Sequence, residues 1–141
     1  RLTSSVEIHR VFISRIYKPA DIIATYPHSA LRKDGIVLAV LTIPDQAISE
    51  RPSYSLFIRH VYDVFITVPL FEIRGQTESP SKLELNTFLV KEGNFIPLNK
   101  ATAQAAFSPQ ISFAGELILV NKEWIELFCL TEAKAQGGTS P

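Results

Sequence analysis

The alternation of apolar and polar positions is strongest between Tyr54 and Leu70, where every even position carries Tyr, Leu, Ile, His, Val or Tyr again, and no glycine interrupts. A period of two places these side chains on one face of a strand. As one straight strand the run would span roughly 56 Å at about 3.3 Å per residue. A domain of this chain length has a body only about 37 Å across. The run is therefore expected to bend, with a corner at Arg59–Asp63, to divide into two strands, or to project. A helical spacing competes, because Tyr54, Phe57, Ile58, Val61, Tyr62 and Phe65 lie at i, i+3, i+4, i+7, i+8 and i+11. Dense β-branched content and Pro69 favour the strand.

The same reading along the rest of the chain yields short strands between polar turns. Val6–Tyr17 is a strand with a phase defect: Val6, Ile8, Phe12 and Ile16 share one face while Val11 and Ile13 take the other. It is expected to be buried on both sides or bulged. Lys18-Pro19 ends it, Asp21–Tyr26 forms a helical turn, and Pro27 stops that turn. Asp34-Gly35 is a turn signal, Ile36–Ile43 a buried strand, and Pro44–Ser53 a polar loop. Gly75–Lys82 is a solvated loop. Leu83–Val90 and Phe95–Leu98 pair around Lys91–Asn94 as a hairpin. Lys100–Phe107, with Asn99 as N-cap, is the helix candidate. Ile111–Val120 and Trp124–Leu130 form a second hairpin around Asn121–Glu123.

Six or seven strands, one or two short helices and no βαβ rhythm predict a mainly β fold: an antiparallel sandwich of jelly-roll type, or a barrel. One domain is expected over residues 1–130, followed by a flexible tail at 131–141. The 141 residues suffice for a core, and 46 % hydrophobic with 20 % charged residues is a globular composition. Arg59, His60 and Asp63 interrupt the longest apolar run, so no membrane-spanning helix is expected. The chain begins at Arg1 and contains no Met, the pattern of a trimmed or processed product.

Charge changes the picture little. The net charge is zero, and residues 1–36 hold six Arg/Lys against three Asp/Glu. That local excess is too mild by itself to imply nucleic acid or an anionic membrane. A single cysteine, Cys129, excludes an internal disulfide and a thiolate-rich metal site. Its neighbours Phe128 and Leu130 make it read as a small buried hydrophobe. His9, His28 and His60 match no metal-ligand spacing and read as structural histidines. No carboxylate pair or glycine-rich phosphate loop stands out, so no cofactor, metal or catalytic residue is expected.

Two binding classes remain. Arg10, Phe12, Arg15, Tyr17, Lys18, Arg32 and Lys33 interleave basic and aromatic groups, the ingredients of a single-stranded nucleic-acid platform. The competing reading makes Phe12 core and the basic residues a solvated edge. Apolar strands in excess of one small core imply self-association. Tyr54, Phe65, Phe71, Ile73 and Trp124 are the candidate contacts of that kind. The expectation is a non-catalytic structural or assembly subunit, a homo-oligomer of coat, capsid or matrix type. A single-stranded nucleic-acid-binding domain is the first alternative, and a small enzyme or ligand-binding barrel the second.

Overall fold

Two-residue turns at Ile16-Tyr17 and Pro69-Leu70 fold long apolar runs back on themselves as antiparallel pairs. The computed structural model describes residues 5–42, 60–79, 81–91 and 93–133. Strands β1 (Ser5–Arg15) and β2 (Lys18–Arg32) make a two-stranded sheet. Strands β3 (Leu38–Leu41), β4 (His60–Val68), β5 (Phe71–Ser79), β6 (Phe95–Ala105), β7 (Ser112–Asn121) and β8 (Leu127–Glu132) make a six-stranded sheet in the order β3-β7-β6-β5-β4-β8. Helix α1 (Leu85–Lys91) joins β5 to β6, and 3-10 turns at Lys33–Gly35 and Lys122–Trp124 precede β3 and β8. The contacts divide the chain into two compact units, Arg1–Val37 and Leu38–Pro141. The class is the expected one: among the described residues the chain is mainly β, with antiparallel pairs in two sheets and one short helix. Among the described residues the large sheet has two edge strands, β3 and β8, which fits a sandwich-like sheet and not a closed barrel.

The core follows the period-2 pattern of the opening run. Tyr62, Val64, Ile66 and Val68 of β4 are all buried on one face, and Ile66 stands opposite Ile73 of β5 in the register. Ile96 and Leu98 of β6 meet Val120 and Ile118 of β7 on the same principle. Past Lys100, whose φ of 48° is left-handed, the buried positions of β6 become Ala101, Ala103 and Ala105. At this kink Gly75 passes so close that an added Cβ would stand 2.9 Å from the Cβ atoms of both Leu98 and Ala101. Any side chain there would force the strands apart. Phe88 of α1 is buried and stacks on Phe128 of β8, with ring centroids 5.7 Å apart. Lys122 Nζ donates to Leu89 O, and Leu83 N donates to Tyr62 Oη at 2.9 Å. These bonds tie the helix and its approach to the sheet.

Several expectations are corrected. Lys18–Arg32 is one strand that runs through Pro19 and Pro27, with no helical turn at Asp21–Tyr26. Its ladder skips the Arg10–Pro27 position, and Arg10 there has a φ of 57°. A proline that lacks its N–H is thus placed where no ladder bond is required. This irregularity, with a bulge between Ile13 and Arg15, falls within the strand whose apolar phase slips. The 54–70 run is strand and not helix from His60 onward, and it turns at Pro69-Leu70; residues 54–59 lie outside the described part. Gly75–Ser79 is strand because β4 pairs along all of it, with β6 on the other side as far as Gln76. Leu85–Lys91 is helix where a strand was expected, and it brings Phe88 under the core. Lys100–Ala105 is strand despite its alanines, since they fill a buried face too tight for larger residues. Strand β8 pairs with β4 and not with β7, because the Lys122–Trp124 turn redirects the chain. Thr131 and Glu132, assigned above to the tail, belong to β8; residues 134–141 lie outside the described part.

Candidate interaction site

The β1–β2 ribbon holds the largest uncovered set of apolar side chains among the described residues. Phe12 is 60 % exposed, Tyr17 61 %, Ile22 54 % and Tyr26 53 %, and no residue of either strand is buried. The ribbon forms because β-branched and aromatic residues favour an extended backbone and the Ile16-Tyr17 turn closes the register at Arg15 and Lys18. Isolated two-stranded ribbons are marginal in water at best. This one also has an unpaired backbone edge on each strand among the described residues.

The residues singled out for nucleic acid all lie in this first unit, but not at one place. Arg15 and Lys18 are register partners beside Tyr17 at the turn, with Phe12 and Arg10 a few residues down β1. Arg32 pairs with Ser5 at the other end and holds Asp34 at 3.3 Å, and Lys33 follows it in the 3-10 turn. About ten residues of strand, roughly 33 Å, separate the Arg15–Lys18 turn from the Ser5–Arg32 end, with Arg10 midway between them. Phe12 is exposed and not core, which corrects that part of the competing reading, while Arg10, Arg15, Lys18, Arg32 and Lys33 are exposed as it expects.

The candidate contacts for self-association lie in the second unit. Ile73 is wholly buried, which corrects its assignment to a surface: it serves the core. Phe65 is half-buried under the Arg74 guanidinium, 4.6 Å from the ring centroid, on the sheet face opposite the core. Phe71 is half-buried with its ring 6.2 Å from that of Phe113. Trp124 is exposed in the second 3-10 turn. Tyr54 lies outside the described residues. The ribbon's Ile22, Ile23 and Tyr26 were missed because Asp21–Tyr26 was read as a helical turn.

His60 fits the reading of a structural histidine, whereas His9 and His28 are exposed. His60 opens β4 and meets Glu132 of β8 at 3.4 Å. His9 and His28 are exposed register partners with ring centroids 4.9 Å apart, and Glu7 Oε2 lies 4.0 Å from His28 Nδ1. Their donor atoms all lie within 4.8 Å of one another. Cys129 is exposed, not buried, because β8 turns its Phe128 and Leu130 side inward.

Two open grooves mark the large sheet. One of about 440 Å³ lies at the β6 kink beside Lys100, Gly115 and Glu116. Another of about 370 Å³ runs between Asp63, Arg74, Cys129 and Thr131. In the second, Asp63 Oδ1 accepts from Gln76 Nε2 at 3.1 Å. No described helix is long and apolar enough to cross a membrane. No protein-family model matches the chain, and no curated protein or solved structure matches it.

Proposed function

We propose that the protein is a structural or assembly subunit, of coat, capsid or matrix type, whose β1–β2 ribbon docks on a second copy of the same chain. The observation that carries this reading is the uncovered apolar surface of a ribbon with no third strand among the described residues. Its eight exposed large apolar side chains present on the order of 800 Å², the area one partner contributes to a standard stable interface. Charge favours a second copy as the occupant. Residues 1–37 carry six Arg/Lys against three Asp/Glu, and residues 38–141 carry eight against eleven. The ribbon unit of one copy is therefore complementary in charge to the sheet unit of another, while whole copies have no net repulsion. Leu70, Phe107 and Leu127 are exposed apolar groups available on the sheet unit.

The test is light scattering of the full chain in chelator, over a range of concentration, pH and salt. The expected mass is a multiple of 15.7 kDa. Replacing Phe12, Ile22 and Tyr26 together by Ser should leave the circular dichroism intact and reduce the mass to that of one chain. A strictly monomeric wild type at high micromolar concentration would remove the proposal. The basic and aromatic groups at the ribbon tip make single-stranded nucleic acid the competing occupant. Salt-sensitive binding of a labelled oligonucleotide, lost in Arg15→Ala with Lys18→Ala, would favour that reading instead.

A further inference from the structure

The side chains of Glu7, His9 and His28 form a cluster that the assembly reading does not use. His9 and His28 face each other across the ladder. Directly opposed residues hold their Cβ atoms roughly 5 Å apart on one face of the pair. Glu7, two residues before His9, falls on the same face by the alternation of a strand. One donor atom from each residue lies within 4.8 Å of the other two. The imidazole rings stand edge to face, with 77° between their planes. All three residues are exposed, so their side chains rotate at little cost.

We infer that Glu7, His9 and His28 bind one divalent transition-metal ion of the zinc type. Two imidazole nitrogens and one carboxylate oxygen are a borderline donor set suited to Zn²⁺, Co²⁺ or Ni²⁺, whereas Ca²⁺ and Mg²⁺ demand oxygen ligands throughout. Zinc bonds of about 2.0–2.1 Å place tetrahedral donors near 3.4 Å from one another, so the widest spacing here must close by about 1.5 Å. Small rotations of three solvent-facing side chains supply that movement. Three protein donors leave a further position to water.

The position of the cluster gives the ion a structural use. Beside the His9–His28 pair the ladder skips Arg10 and Pro27, and among the described residues the ribbon has no third strand to hold its register. An ion held by β1 through Glu7 and His9 and by β2 through His28 clips the two strands together at that gap. Because a preformed site rarely exists in an unfolded chain, such binding adds directly to the stability of the ribbon.

The experiment uses the full chain without a histidine tag, titrated with Zn²⁺ by calorimetry and with Co²⁺ by visible absorption. One equivalent should bind saturably, and the Co²⁺ complex should show d–d bands of low coordination number. His9→Ala and His28→Ala should each weaken binding by about tenfold or more, since each removes one of three ligands. Glu7→Gln should weaken it while circular dichroism stays unchanged. His60→Ala, at the other His–carboxylate pair, should bind as wild type. The inference is overturned by no saturable binding up to millimolar metal, by equal binding in the His9 and His28 variants, or by loss of binding in His60→Ala. Because the assembly test is run in chelator, either proposal can fail without the other.

Discussion

The β1–β2 and β4–β5 pairs are both antiparallel hairpins closed by two-residue turns, yet only one of them has a core. Strand β4 alternates buried Tyr62, Val64, Ile66 and Val68 with more exposed positions, and its nine-residue register with β5 is unbroken. The β1–β2 ribbon is longer and comparably rich in Ile, Tyr and Val, yet none of its residues is buried. Local composition does not separate them. Neighbours do: β4–β5 lies between β8 and β6, whereas the ribbon has no further strand among the described residues. An apolar side chain contributes to stability only when another layer or strand removes it from water. The teaching of the pair is that a strong strand pattern specifies an extended backbone, and burial depends on what pairs beside it.

The sharpest way to break this comparison is to truncate one isoleucine in each hairpin. Ile66→Ala, at a wholly buried position, should lower the unfolding free energy by about 2–5 kcal/mol in urea titration. Ile22→Ala, at a position 54 % exposed, should change it by no more than about 0.5 kcal/mol in dilute solution. Equal losses would mean that the ribbon has a covered core of its own. Glycine offers a second contrast. Gly75→Ala drives a Cβ against Leu98 and Ala101 and should cost about 1–3 kcal/mol through overpacking. Gly35→Ala meets nothing within 4 Å and should lie within about 0.5 kcal/mol of wild type. The smallest contrast compares the two 3-10 turns. Asn121, 2 % exposed, accepts from Glu123 N at 2.9 Å, and Asn121→Ala should cost about 1 kcal/mol by thermal unfolding. Asp34→Ala, whose contact with Arg32 is exposed, should cost less than about 0.5 kcal/mol.

The sequence was most legible where pattern and pairing agree. The even positions of β4 form the buried face that the alternation predicts, and β7 is close to the Ile111–Val120 strand. It was least legible where pairing overrides propensity. Alanines at 101, 103 and 105 favour a helix in isolation, but β5 and β7 flank them, and a strand with small residues fits that space. Pro19 and Pro27 read as breaks, yet Pro27 sits where the ladder makes no demand on its missing N–H. The candidate site was only partly visible. Basic and aromatic residues of the ribbon stood out, but their separation into a tip and a base group depends on register. The His9–His28 pairing carries no signal in a one-dimensional spacing of nineteen residues.

The amino-acid sequence by itself determined the β class, the buried face of the central strand, the charge difference between the two units and the absence of local metal and phosphate motifs. These follow from side-chain period, propensity and charge, which need no knowledge of partners. The tertiary structure alone decided that Ile73 is core, that β8 crosses to β4, that Phe12 and Tyr26 remain uncovered, and that Glu7, His9 and His28 converge. Each of those depends on which strands lie side by side and in what register. In an antiparallel fold, that choice is made by long-range pairing and burial, and neighbouring residues in the chain do not encode it.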